Sequence, residues 1–200
     1  MSPARLPTDA TPAVARMAAW LRWAVAWLLA VGVGLAQAEA PAVPLERQAM
    51  AAYLYKFVGF VEWPEKSFAK PDSPLLIGVV GSEVVAEQLE RMVAGRSVAG
   101  HPVTVRRLQR GESLAGLHIL FIDRGIDRNT QADLLAAARS YSLLTVTDAD
   151  DGLAKGFMIS FVLTGERLRF DVGLRQVAPS GLRISARMLA VAHRVQGGAS

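Results

Sequence analysis

The chain has 200 residues, 52% of them hydrophobic, a formal net charge of +4 and no cysteine. That length and apolar content suffice for one domain with its own core plus an address segment, and the lack of cysteine excludes disulfide staples, thiol redox switching, thiol nucleophiles and thiolate-bound metals. No lysine–arginine cluster is interleaved with aromatics, so the mild positive charge makes no case for nucleic-acid binding.

Arg16 and Arg22 precede an apolar run, Trp23 to Ala36, that ends in the small-x-small pattern Ala36-Gln37-Ala38. A signal peptide over residues 1–38, cut after Ala38, is the expectation, because the uncharged run is shorter than the roughly twenty residues of a spanning helix. Met17 is an alternative start. This leader carries a net +2, so the exported chain keeps the other +2 of the total. The mature protein is then periplasmic, with no membrane span.

Residues 39–44 read as a Pro/Ala-rich linker, and 45–196 as the folded domain. Its first element is expected to be a helix over about 45–62, closed by Pro64, since the residue before a proline is pushed out of the α region. Met50, Leu54, Phe57 and Val61 form one apolar stripe, with Ala49, Tyr53 and Phe60 beside it. A helix apolar over that much of its circumference is either sandwiched or offers a second face to a partner. Tyr53, Tyr55, Phe60 and Trp63 are accordingly the candidate partner-binding residues.

Beyond a proline-rich loop, Leu75 to Val80 is a continuous apolar run, expected as a strand covered on both faces. Gly81-Ser82 turns the chain into a helix to about Ala94, with Val84, Val85, Leu89, Met92 and Val93 inward and Gly95 as its stop. A bent strand or hairpin over 97–108 turns at Ala99-Gly100. His118 to Asp123 is a second apolar strand, and a helix from about Asn129 to Ser140 follows with Asp127 as its cap. Leu143 to Thr147 is a strand, Asp148 to Gly152 an acidic loop, and Phe157 to Val172 a hairpin turning at Gly165-Glu166. Ser185 then caps a helix to about Val195. The fold class expected is α/β, a single domain with a mixed sheet of about five to six strands and helices packed on it.

No motif in this order carries catalysis. Gly78-Val79-Val80-Gly81-Ser82 lacks both a dinucleotide fingerprint and a P-loop lysine, which favours glycines that simply permit a tight turn. Asp148, Asp150 and Asp151, with Asp123 at another strand end, resemble a loose acidic pocket, but a solvated turn is the favoured reading over a receiver-like or phosphatase-like site. His101, His118 and His193 have no ligand partner at helical spacing. Arg175, Arg183 and Arg187 are basic residues near the carboxyl end, Arg183 and Arg187 sharing a face if both are helical. Together with Trp63 they are the candidate ligand-binding set, an aromatic and arginine lining that suits a planar anion. No cofactor or metal is expected.

Five stretches in one order resemble the YfiR family: Ala51 to Phe57 with Val61-Glu62-Trp63-Pro64, then Ile77 to Gly81, Gly95 to Val103, His118 to Ile122, and Gly181 to Ser185 with Leu189. The likeness spans about residues 46–194. It implies an exported α/β domain, often dimeric, that acts as a non-enzymatic repressor. Its partner is implied to be the periplasmic sensor part of an inner-membrane diguanylate cyclase, whose sequestration lowers cyclic-di-GMP and biofilm output. The resemblance also implies cysteine pairs in some members; this chain has none, so envelope-redox control of that kind is not expected here.

Overall fold

A computed structural model of the chain describes residues 44–197. The expected signal peptide, and all of the linker except Pro44, lie outside them. The elements in order are α1 (Leu45–Val58), β1 (Val61–Glu62), a 3-10 turn (Glu65–Ser67), β2 (Leu75–Val80), α2 (Glu83–Val93), β3 (Ser97–Val98), β4 (His101–Arg107), β5 (Leu117–Ile122), α3 (Arg128–Ala138), β6 (Leu144–Thr147) and α4 (Gly152–Lys155). They continue with β7 (Ile159–Thr164), β8 (Arg167–Gly173), α5 (Leu174–Val177), a second 3-10 turn (Ala178–Ser180), β9 (Arg183–Ile184), α6 (Ala186–Val191) and β10 (Arg194–Gln196).

Eight strands form one mixed sheet in the order β10-β8-β7-β6-β5-β2-β4-β3, and β1 and β9 pair separately. The strands from β4 to β7 are parallel, whereas β7–β8 and β3–β4 are antiparallel hairpins. The sheet is thus larger than the five to six strands expected. The difference comes from short edge strands, β3 and β10, which carry too few residues to show a period.

The central strands are buried on both faces and sort their side chains by alternation. Ile119 and Phe121 of β5 point into the core beneath α1, α2 and α6, while Leu120 and Ile122 point into the second core, which includes Leu134 and Ala138 of α3. The larger core holds Met50, Leu54 and Phe57 of α1 against Phe161 and Phe170 of the β7–β8 hairpin. Phe57 is 2% exposed and stands edge-on to Phe170 at 5.1 Å between ring centres. Burial of one such ring contributes roughly 2–3 kcal/mol, with an edge-to-face increment on top.

Two helix ends differ from expectation. α1 stops at Val58 with Gly59 as its C-cap, before Pro64 has any say. Val61 and Glu62 leave the helix to pair with Ile184 and Arg183, and the Phe60 carbonyl accepts from Ser185 N at 2.9 Å. The last helix ends at Val191 rather than Val195, because Arg194 to Gln196 add a parallel strand beside β8. Pairing with a distant strand outweighs local helical propensity in both places. Val84, expected inward on α2, is exposed, whereas Val85, Leu89 and Val93 are buried as expected.

Several local expectations hold. Ser82 caps α2 by accepting from Val85 N, Asp127 caps α3 by accepting from Thr130 N, and Ser185 caps α6 by accepting from Met188 N. Gly81 sits at φ +84°, and a Cβ there would meet the Ile126 side chain at 2.7 Å. That glycine is needed for the turn and the close packing against Ile126.

Candidate functional site

The carboxyl ends of β5 and β6 each present an aspartate, Asp123 directly after Ile122 and Asp148 directly after Thr147. In open α/β sheets this end is where ligands are commonly bound. Here it is latched. Arg47, in the first turn of α1, reaches Asp123 Oδ2 at 2.5 Å and Asp148 Oδ2 at 3.1 Å with one guanidinium nitrogen. Arg124 donates its backbone N–H to Asp148 Oδ1 at 2.7 Å and places Nε 3.2 Å from Asp148 Oδ2, while its Nη2 meets Glu46 at 2.8 Å.

The expected solvated acidic turn is therefore only half correct. Asp150 and Asp151 are exposed, but the Asp148 side chain is 2% accessible and Asp123 is buried as well. Loss of hydration pushes the Asp148 carboxyl above its usual range, the Arg124 N–H draws it back, and the neighbouring Asp123 charge raises it further. The loop is held from below. Thr147 Oγ1 donates to the Ile122 carbonyl at 2.7 Å and accepts from Ala149 N at 3.0 Å. Gly152 lies so close to Ser160 that a Cβ would meet its Oγ at 2.5 Å.

The four candidate partner residues separate into two kinds. Tyr53 and Trp63 are bound into the fold: Tyr53 stacks with Phe57, meets Phe161 at a tilt and Phe170 edge-on, and the Trp63 indole Nε1 donates to the His118 carbonyl at 3.1 Å. Tyr55 is half-buried with the Arg96 guanidinium 5.8 Å from its ring centre, and Phe60 is 37% exposed. Tyr53 nevertheless keeps an edge on a groove of about 650 Å³ whose other walls include Leu168 of the hairpin and Val191 of α6. The exposed Leu163 lies farther along the hairpin.

The candidate ligand set is not gathered into one cavity. Arg183 pairs in register with Glu62, the neighbour of Trp63, on the small β1–β9 ribbon. It is a strand residue, so it shares no helical face with Arg187 of α6. Arg175, on α5, lines a different cleft, and its side-chain stem lies against Gly197. Trp63 instead faces the ring of His118 edge-on at 5.6 Å. Burial in that aromatic pocket lowers the His118 pKa to about 4, helped by the nearby His101. Its Nδ1 accepts from Leu76 N at 3.2 Å, a bond that requires the neutral ring.

The model of the YfiR/HmsC-like family matches residues 47–193, from Arg47 of the latch to His193 beyond α6. The chain belongs to the YfiR/HmsC-like family. No curated protein sequence matches it significantly. Among the described residues of this YfiR-like domain, no helix is long and apolar enough to cross a membrane and no group of three or more His, Asp or Glu side chains is placed to hold a metal ion. Sequence reasoning missed Arg47 altogether. The available signal was a pair of apolar strands each ending in aspartate, with an arginine in the first turn of the preceding helix. Nothing local reveals that they meet.

Proposed function

We propose that this chain is a periplasmic, non-enzymatic regulator that binds and represses the periplasmic sensor domain of a membrane-bound diguanylate cyclase, so lowering cyclic-di-GMP signalling. Membership of the YfiR/HmsC-like family over residues 47–193 is the observation that carries this reading. The groove beside Tyr53 supports it, since it joins the aromatic helix to the β7–β8 hairpin in one apolar surface flanked by Arg167 and Arg169. Tyr55 and Phe60 extend the contact face, with Trp63 as its anchor to the fold. The working form is a homodimer, delivered by a cleaved leader over residues 1–38.

The test measures cellular cyclic-di-GMP in a deletion strain beside the same strain carrying either the full gene or a copy lacking residues 1–38. Deletion should raise the nucleotide, and only the full gene should restore it. An unchanged level on deletion removes the cyclase from the reading. A second arm uses pull-down from detergent-solubilised envelope, in which a folded Tyr55→Ala/Phe60→Ala chain should lose an inner-membrane partner that the parent enriches.

A further inference from the structure

At the amino ends of β5 and β6, remote in the fold from Arg47, lie two cavities of about 310 and 440 Å³ that share Arg139, Tyr141, Pro179 and Ser180 as walls. They form one trough, bounded by the end of α3, the loop entering β6, the first 3-10 turn, the end of α4 and the beginning of α5. Four cations line it: Lys66, Arg139, Lys155 and Arg175. No carboxylate appears on either set of walls.

Elsewhere the described surface pairs many of its arginines, as Arg107 does with Glu83 and Glu90, Arg91 with Glu87 and Arg124 with Glu46. Among the described residues, Lys66, Arg139 and Arg175 form no ion pair, and Lys155 donates to the Asp150 carbonyl. Helix dipoles account for Arg139 and Lys155, which end α3 and α4. Lys66 and Arg175 likewise stand in the last turns of the first 3-10 turn and of α5. Unpaired like charges gathered along one concavity repel each other and raise the local concentration of anions.

The rest of the lining narrows the anion. Ser67, Ser140 and Ser142 add hydroxyls, the Ser67 Oγ buried without a hydrogen-bond partner, whereas the Ser180 Oγ is held by the Val177 carbonyl and Leu182 N. Tyr141, shared by both cavities, is 38% exposed. Its aromatic side chain stands on the lining common to both cavities. Because the cations are spread over both cavities, an extended ligand satisfies them better than a single small ion.

We propose that this trough binds an acidic oligosaccharide, its carboxylates held by Arg139, Arg175 and Lys66, its hydroxyls by the serines, and one sugar ring laid on Tyr141. The combined space suits a ligand of that size, which ordinarily fills a cleft of roughly 300–1,000 Å³. The site is independent of the cyclase reading and shares only Arg175 with the arginines weighed from the sequence.

Calorimetric titration of the full chain with tetragalacturonate tests it, with cellotetraose as the neutral counterpart and inorganic phosphate as the simple anion. The acidic tetrasaccharide should bind and weaken in about 0.5 M salt. Arg139→Ala/Arg175→Ala should lower affinity by roughly tenfold or more, while Arg183→Ala/Arg187→Ala leaves it unchanged. A melting curve shows whether each variant is folded, and Arg139→Gln/Arg175→Gln replaces the alanine pair if that one is not. Absence of binding by the parent chain, equal binding of cellotetraose, phosphate binding as tight as the tetrasaccharide, or retention of affinity in the folded double variant each overturns the assignment.

Discussion

The two ends of the eight-stranded sheet handle charge in opposite ways. At the carboxyl ends of β5 and β6, two buried aspartates are bridged by Arg47 and one of them again by Arg124, so every charge faces an opposite one. At the amino ends, four cations line a trough without a carboxylate among its walls. A buried charge set needs internal partners because desolvation costs several kcal/mol per ion, whereas an exposed one is neutralised cheaply by water or a ligand. The first end therefore supports the fold, and the second is available for binding.

Breaking the latch should have the largest effect. Arg47→Ala leaves two carboxylates buried side by side and is expected to destabilise the domain by about 3 kcal/mol, lowering Tm by roughly 8 °C. Adding Asp123→Asn and Asp148→Asn to that change removes the stranded charges, so a thermal melt should show most of the loss recovered. If Arg47→Ala melts like the parent, the carboxyl end is not a structural latch.

Acid exposes a second dependence. The folded pKa of His118, about 4, lies below the usual histidine value, so the unfolded chain binds the extra proton first. The neutral ring's contribution is whole above about pH 6.5 and is lost as pH falls toward 4, on the order of 2 kcal/mol. His118→Gln should flatten the pH dependence of chemical denaturation over that window; an unaltered slope would contradict the buried neutral ring.

Asp148 works with the reverse sign. Its folded pKa is raised, so within the window above the ordinary aspartate value the native state holds the proton more readily, and this carboxyl's contribution declines as pH rises. In Asp148→Asn that decline should vanish, leaving a steeper net gain in stability with rising pH on the acid limb. Denaturant midpoints at several pH values between the acid limb and neutrality give the sign.

The smallest effect belongs to the other end of the sheet. Arg139→Ala/Arg175→Ala should change stability by no more than about 0.5 kcal/mol, since exposed and unpaired charges contribute little to the fold. A loss comparable to that of Arg47→Ala would abolish the contrast between the two ends.

Local chemistry was readable along much of the chain. The apolar runs at β2, β5 and β6, the caps Ser82, Asp127 and Ser185, and both hairpin turns follow from side-chain properties acting over a few residues. So does the apolar excess of α1, whose Met50, Leu54 and Phe57 are indeed core. The boundaries that failed, at Val58 and Val191, are those where a partner strand from far along the chain overrides helical preference. Arg183 and Arg187 share a face only if both are helical, and pairing of β9 with β1 takes Arg183 out of any helix.

Sequence alone determined an α/β domain, its covered strands and its cysteine-free core, because periodicity and capping are short-range properties written residue by residue. Tertiary structure alone decided that Arg47 meets Asp123 and Asp148 across 76 and 101 positions, and that Lys66, Arg139, Lys155 and Arg175 line a common trough. Both depend on strand order. Which loops share an end of the sheet is set by how strands pair through space, and pairing partners leave no mark on the residues beside them.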